Sequence, residues 1–285
     1  MALFEPRGFG WLPSAPDFRD FTPGSAESMA LLQRLAGGES SSTRSTSVDL
    51  REYFVEVTDQ LDLPTSTAQA CCALAQYFER RAIGRLLRPS PLFLYQNTLR
   101  LAGTPAGGGT DLRTTLRAMI RCGVPPERYW PYERERLAAQ PDGFLYRFDD
   151  PYRAIRYVRL DERKASGLER LHTIKAFVSA GFPAVFGVSV PDSLTDDGHI
   201  PYRPTFDTPL GGQAMVVVGY DDRWLQGTRG ALLVRSSWGA RWGEAGYGWL
   251  PYAFVEELLA VDFFTLCHPR WIDSGEFEMP GLSRS

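Results

Sequence analysis

Apolar positions change their spacing part-way along the chain. Between residues 66 and 123 they recur at the three-to-four spacing of helices with one buried face: Ala70, Leu74, Tyr77 and Phe78, then Phe93, Leu94 and Leu99, then Leu112, Leu116, Met119 and Ile120. Each segment has a start signal. Ser66 followed three residues later by Gln69 has the form of a capping box, Ser90-Pro91 places a cap before a residue pre-organised for the first helical position, and Asp111 opens the third segment, which Gly123 ends. From about residue 152 the period becomes two. Alternation in 152–160 predicts a strand with one wet face, and strand-like runs follow at 184–190, 214–220, 230–236 and 246–250, separated by Pro, Gly and Asp. One helix intervenes through Leu168, Leu171, Ile174 and Val178, stopping at Gly181. A chain that is helical first and β-rich second is of the α+β class, here in two lobes.

Residues 8–22 are too rich in Pro and Gly for a regular element, yet carry the buried-type aromatics Phe9, Trp11, Phe18 and Phe21, which predicts an extended arm packed on the body. A short amphipathic helix is predicted over 28–35 and a linker over 37–47. The expected organisation is therefore an arm and linker over 1–47, a helical lobe over 48–150, a β-rich lobe over 151–265 and a tail over 266–285. Trp130-Pro131-Tyr132 reads as a turn with aromatic anchors.

Composition narrows the function classes. With 285 residues the chain buries a sizeable core without staples, and its net charge of −3 argues against nucleic acid or an anionic membrane surface as the main partner. The N-terminus lacks a basic segment followed by an apolar run, and nothing approaches a membrane span, so a cytoplasmic location is expected. Cys71, Cys72, Cys122 and Cys267 show neither metal-like nor disulfide-framework spacing and read as buried thiols, so no metal and no cofactor are expected.

The densest motifs lie late in the chain, at 211–222 (Gly-Gly-Gln-Ala-Met-Val-Val-Val-Gly-Tyr-Asp-Asp) and 234–243 (Val-Arg-Ser-Ser-Trp-Gly-Ala-Arg-Trp-Gly). With Gly10-Trp11-Leu12-Pro13, Pro16-Asp17-Phe18-Arg19-Asp20, Val48-Asp49-Leu50-Arg51 and the turn over 123–132, these segments resemble the bacterial branch of the papain-like cysteine proteases over about residues 8–265. The resemblance implies a papain-like two-lobed fold, with a helical N-terminal lobe, a β-barrel-like C-terminal lobe and a cleft between them. It also sets Ser66 at the position of the family's nucleophilic cysteine, Gln213 at that of the general-base histidine and Ser236 at that of the orienting asparagine, while Gln60 retains the residue that helps bind the oxyanion. Leu61 and Pro64 replace two glycines around the oxyanion turn, and proline removes an N–H from it.

These replacements bear on the chemistry. A serine hydroxyl at a helix N-terminus does not ionise near neutral pH without an adjacent base, and an amide such as Gln213 neither titrates nor relays a proton. Losing one member of such a unit costs on the order of a million-fold. The three histidines are expected elsewhere: His172 on a solvent-facing helix, His199 in a loop near the cleft rim, His268 on the surface of the C-terminal extension. A structural account is available for the altered positions, with Ser66 capping its helix against Gln69, and Gln213 and Ser236 satisfying one another. Trp238 and Trp242 are expected to be buried.

The expected function is a pseudoprotease that binds a peptide or protein partner, or serves as a scaffold, through a cleft lined by Gln60, Ser66, Gly108, Gly109, Gln213 and Trp238. Two alternatives stand beside it. One is a weak serine-type hydrolase or acyl transferase built on Ser66; the other is a structural subunit whose groove is filled by Leu61 and Pro64.

Overall fold

The computed structural model describes residues 8–23, 45–224 and 229–277. The helix predicted over 28–35 lies outside them, as does the linker up to residue 44.

The helical half forms where the start signals stand. Helix α1 (Ser66–Ile83) ends at Gly84 in the left-handed conformation. Helix α2 (Pro91–Ala102) is capped by Ser90, whose hydroxyl accepts the Phe93 N–H, and α3 (Leu112–Cys122) by Asp111, which accepts from the Thr114 N–H. Of these helices α1 is the most central: Cys71, Leu74, Tyr77 and Phe78 are buried, as are residues on both sides of its axis, because it packs between the other helices and the sheet. Trp130 is anchored as expected, donating its indole N–H to Gln96 Oε1 at 2.9 Å.

The β-rich half holds a seven-stranded, wholly antiparallel sheet. Its strands are β1 (Ser47–Asp49), β2 (Arg156–Arg159), β3 (Ala184–Pro191), β4 (Pro209–Asp221), β5 (Ala231–Arg235), β6 (Tyr247–Pro251) and β7 (Ala260–Cys267). The order is β2-β7-β3-β4-β5-β6, with β1 pairing on β4. The sheet was expected to be barrel-like, but its hydrogen bonds follow an open path rather than a closed ring. Helix α4 (Gly167–Ser179) carries a complete capping box between Ser166 and Glu169. Residues 152 and 153, read as strand, lie in a short helical turn instead.

β7 is the strand that the alternation does not announce. Its run Ala-Val-Asp-Phe-Phe-Thr-Leu-Cys is almost wholly apolar, and Asp262 sits in it at a φ of 61°, where the register against β3 also shifts. The chain beyond it turns back onto the helical half. Trp271 stacks on Phe78 of α1 at a centroid distance of 4.8 Å, and Phe277 closes the same aromatic cluster.

Candidate functional site

The loop leading into α1 is fixed from both halves. Gln60 N–H donates to Ser237 O at 2.8 Å and Gly239 N–H to Thr58 O at 3.1 Å, so residues 58–60 are zipped to the segment that follows β5. From the helical side the Tyr132 hydroxyl donates to Gln60 O at 3.0 Å and lies 2.5 Å from Thr65 Oγ1. Leu61 takes a left-handed φ of 56°, a conformation glycine adopts freely and leucine does not. Its side chain is 55% exposed, so it does not fill the groove.

Ser66, Gln60 and Gln213 converge where this loop meets the middle of β4, and all three are fully buried. Gln213 Nε2 donates to Gln60 Oε1 at 2.7 Å and to Ser237 Oγ at 3.2 Å, while the Ser237 hydroxyl donates to Gln60 Oε1 at 2.5 Å. Gln60 turns its own amide nitrogen the other way, toward Leu63 O at 3.1 Å and the carbonyl of Gly8. Ser66 Oγ accepts the Ala214 N–H at 3.3 Å, tying the start of α1 to β4.

Two expectations about this cluster are corrected. Ser66 does not cap α1: it is already helical, Thr65 holds the cap position without a side-chain bond, and Gln69 Oε1 accepts instead from the Thr58 hydroxyl at 2.8 Å. Nor do Gln213 and Ser236 satisfy one another. Ser236 lies past the end of β5, donating to Gly246 O at 3.2 Å and accepting the Trp238 N–H at 3.2 Å, and its neighbour Ser237 takes the place foreseen for it. Beside Ser236 is a cavity of about 10 Å³, the lower limit for a single water. Gln213 Oε1 is buried without a hydrogen-bond partner among the described residues, a cost that the two bonds of Nε2 offset. Trp238 and Trp242 are buried as expected, edge-to-face at 5.0 Å.

The groove over this cluster is occupied by the chain itself. Gly10 and Trp11 donate their N–H groups to Gly212 O at 3.2 and 3.0 Å, one residue before Gln213. On the opposite wall Thr110 N–H donates to Gly10 O at 2.8 Å and Leu12 N–H to Thr110 O at 3.0 Å. The arm thus forms backbone hydrogen bonds to both halves, as an extended peptide in a groove would. Its side chains fit glycine-lined spaces. The Trp11 indole lies where a Cβ on Gly187 would be, Phe9 packs on Gly211, Leu12 packs on Gly109, and Gly10 passes so close to the Pro64 backbone that no side chain fits there. Of the two glycines expected in the wall, Gly109 touches the arm, whereas Gly108 offers its carbonyl to the Tyr95 hydroxyl at 2.7 Å.

Further along, the arm is clamped by charge. Asp20 pairs with buried Arg113, Ser14 N–H donates to Asp262 Oδ2 at 2.6 Å, and Arg159 reaches Asp262 and Asp161, each at 3.0 Å. Burial pushes the carboxyls of Asp161 and Asp262 above the usual range, opposed by the neighbouring arginines.

No protein-family model matches the chain. It is 27% identical over 274 residues to a peptidase C1-like protein of Acanthamoeba polyphaga mimivirus, a match covering 91% of this chain and 86% of that protein. Among solved structures, xylellain, a cysteine protease from Xylella fastidiosa, superposes with a TM-score of 0.74 at 29% identity, covering 94% of this chain and 99% of the other. This chain has the papain-like cysteine protease fold. The procathepsin B of Trypanosoma congolense shares that fold at a TM-score of 0.65 and 18% identity, over 91% of this chain and 85% of its own.

Within this papain-like frame no histidine hydrogen-bonds to Ser66 among the described residues. His172 is exposed on α4, His199 lies 3.8 Å from Asp197 and stands edge-on to Trp224, and His268 accepts the Arg270 N–H at 3.0 Å against Trp271. His268 is half-buried rather than a surface residue, since the last segment folds back onto α1. Burial raises the thiols of Cys71 and Cys72 far above their ordinary value and that of Cys267 to about 12, so none of them is a ready nucleophile. Among the described residues no His, Cys, Asp and Glu side chains cluster as a metal site, and no helix is long and apolar enough to cross a membrane.

Proposed function

We propose that this chain is a pseudoprotease: it keeps the papain-like groove and holds extended polypeptide in it without hydrolysis, its own arm being the first occupant. In this reading Ser66, Gln213 and Ser236 stand where the family has nucleophile, base and orienting residue. The observation that carries it is the bond between Gln213 and Gln60. An amide fixed there can accept no proton from a hydroxyl, and among the described residues Ser66 Oγ receives only a backbone N–H. Gln60 cannot help an oxyanion either while its amide serves the Gly8 carbonyl. The test is incubation of the full chain with a peptide library, read by mass spectrometry. Unchanged peptides are expected from the wild type and from a Trp11→Ala variant that loosens the arm. Cleavage that disappears in Ser66→Ala would refute the proposal and favour the serine hydrolase.

The filled groove gives specific support to a second reading, that of a structural subunit. Phe9, Trp11 and Leu12 would be its filling, in place of Leu61 and Pro64. A peptide with the sequence of residues 8–13 separates the two: capture by the Trp11→Ala chain supports a recognition groove, and no capture supports a purely structural one.

A further inference from the structure

Away from the groove, a cavity of about 160 Å³ opens between the end of β3, the loop over 201–209 and the Phe254 region. Its walls are mostly apolar, with the Tyr202 and Phe254 rings edge-on to one another at 5.6 Å. Of the two charged residues on the lining, Asp207 has its Oδ2 shut off from solvent, whereas Arg203 is exposed. An apolar space of this size accepts an aromatic ring, as a dry cavity of about 150 Å³ accepts benzene. Edge-on neighbours suit such a ring, and an exposed guanidinium is attracted to its face.

The same loop presents a ring of this kind. Phe206 is 85% exposed and is not among the residues that line the cavity of its own chain. The loop holds it out in a fixed shape. Phe206 and Asp207 both donate their N–H groups to Arg203 O at 2.9 Å, and Asp192 and Thr208 exchange backbone and side-chain bonds that fasten the loop to β3. A knob and a socket on one loop are self-complementary: a two-fold axis beside the loop sets each knob in the other copy's socket, which is the geometry of an isologous contact.

The charges suit a second copy as well. The patch carries both signs, with Arg203 exposed on the lining and the exposed pair Glu256 and Glu257 near the Tyr202 hydroxyl. A copy turned over by the two-fold brings its cation opposite these acids, and they face its own cation in return. Leu258, exposed between the acids and the lining residue Leu259, adds apolar surface.

We infer that this face is a two-fold interface between copies of this chain, with Phe206 of each copy seated in the other's cavity against Tyr202 and Phe254. The inference does not rest on the groove or on the state of the site at Ser66. A phenylalanine buries roughly 150–250 Å². With the walls they cover, two of them remove on the order of 600–1,000 Å² from water, less than the roughly 1,200–2,000 Å² of a standard stable interface. The association is therefore weak and reversible, and it grows with concentration.

Sedimentation equilibrium of the full chain, from low micromolar to about 500 μM, reads the association directly. A monomer–dimer equilibrium is expected, weakened about tenfold or more in Phe206→Ser, the loss that goes with an anchoring aromatic. Because that ring lies in water in the single chain, an unchanged thermal transition shows that Phe206→Ser is folded. Arg203→Glu should weaken the dimer too, by setting like charges against Glu256 and Glu257, and adding Glu256→Arg with Glu257→Arg should restore it. A chain that stays monomeric over the whole range, a dimer as tight in Phe206→Ser as in the wild type, indifference to Arg203→Glu, or assembly that continues beyond the dimer would each overturn the assignment.

Discussion

Gln213 and Gln60 join their side-chain amides at 2.7 Å across the boundary between β4 and the loop that feeds α1. The bond ties the two elements together. Truncating Gln213 to alanine should remove that tie, strand one of the acceptor sites of Gln60 and leave a void. A loss of about 1–3 kcal/mol is expected in urea unfolding. Ser237→Ala should cost less, because Gln213 still serves Gln60 Oε1. An equal or larger loss in Ser237→Ala would show the tie to be assigned to the wrong donor.

In the pseudoprotease reading proposed above, installing thiol chemistry at Ser66 should require two separate changes. Ser66→Cys with Gln213→His supplies a thiol and an imidazole, yet the arm still covers them. The pair is expected to resist iodoacetamide at pH 6 and to become reactive only when Trp11→Ala is added, measured by intact mass. Rapid labelling of the double variant alone would show that the arm does not shield Ser66.

Trp11 is the anchor of the arm. Trp11→Ala should cost about 3–5 kcal/mol if the arm unfolds together with the body, as deletion of a buried tryptophan does. If the arm detaches on its own, the body keeps its melting transition while residues 8–12 become sensitive to protease. Gly187→Val should mimic the second outcome, since its side chain would take the space of the indole. Protection of the arm in Gly187→Val would contradict the observed packing.

The buried charges beneath the arm set a pH dependence. Asp161 and Asp262 have folded-state pKa values raised by burial, so the folded chain binds protons more readily than the unfolded one in the window above the ordinary carboxylate value. Their ionisation therefore works against folding, and this effect shrinks as pH falls through that window. Arg159→Met removes their shared cation. It should cost about 3–5 kcal/mol at pH 7 and measurably less near pH 5, as the two carboxyls take up protons. Denaturant midpoints across pH provide the check, and a cost independent of pH would mean that these carboxyls are not coupled to Arg159.

Thiol chemistry should be quiet. Cys71, Cys72 and Cys267 are buried and Cys122 is half-buried, each with its thiol raised by burial. At pH 8 the native chain should react with at most Cys122 toward an aromatic disulfide reagent, and urea should release all four. Fast reaction of more than one thiol in the native state would contradict the packing around α1.

Much of this was legible in the residues. Ser90 and Asp111 act locally, through hydrogen bonds within one turn, and each starts its helix where the sequence places it. Ser66 is the instructive failure: its pattern with Gln69 is a capping box, but β4 supplies the Ala214 N–H and the loop supplies Thr58, and these long-range partners prevail. The resemblance aligns Ser236 with the orienting asparagine, but its neighbour Ser237 is the one that meets Gln213, and sequence alone does not say which of two adjacent side chains faces inward. β7 escaped notice because Asp262 interrupts its pattern to bind Ser14 and Arg159, contacts from 248 and 103 residues away. The arm was foreseen, but not its place. Its glycines at 8 and 10 and the facing glycines at 187, 211 and 212 mark close approach only once both sides are seen together.

The course of residues 8–12 between Thr110 and Gly212 also has a consequence for competition. A segment tethered beside its own site acts at an effective concentration on the order of millimolar, whatever its intrinsic affinity. In the proposed recognition role, a free peptide would have to exceed that advantage before it occupied the groove at all. In that role, weak, abundant sequences would thereby be filtered out, and the groove would answer only to a ligand that binds far better than its resident segment or arrives with a second point of attachment.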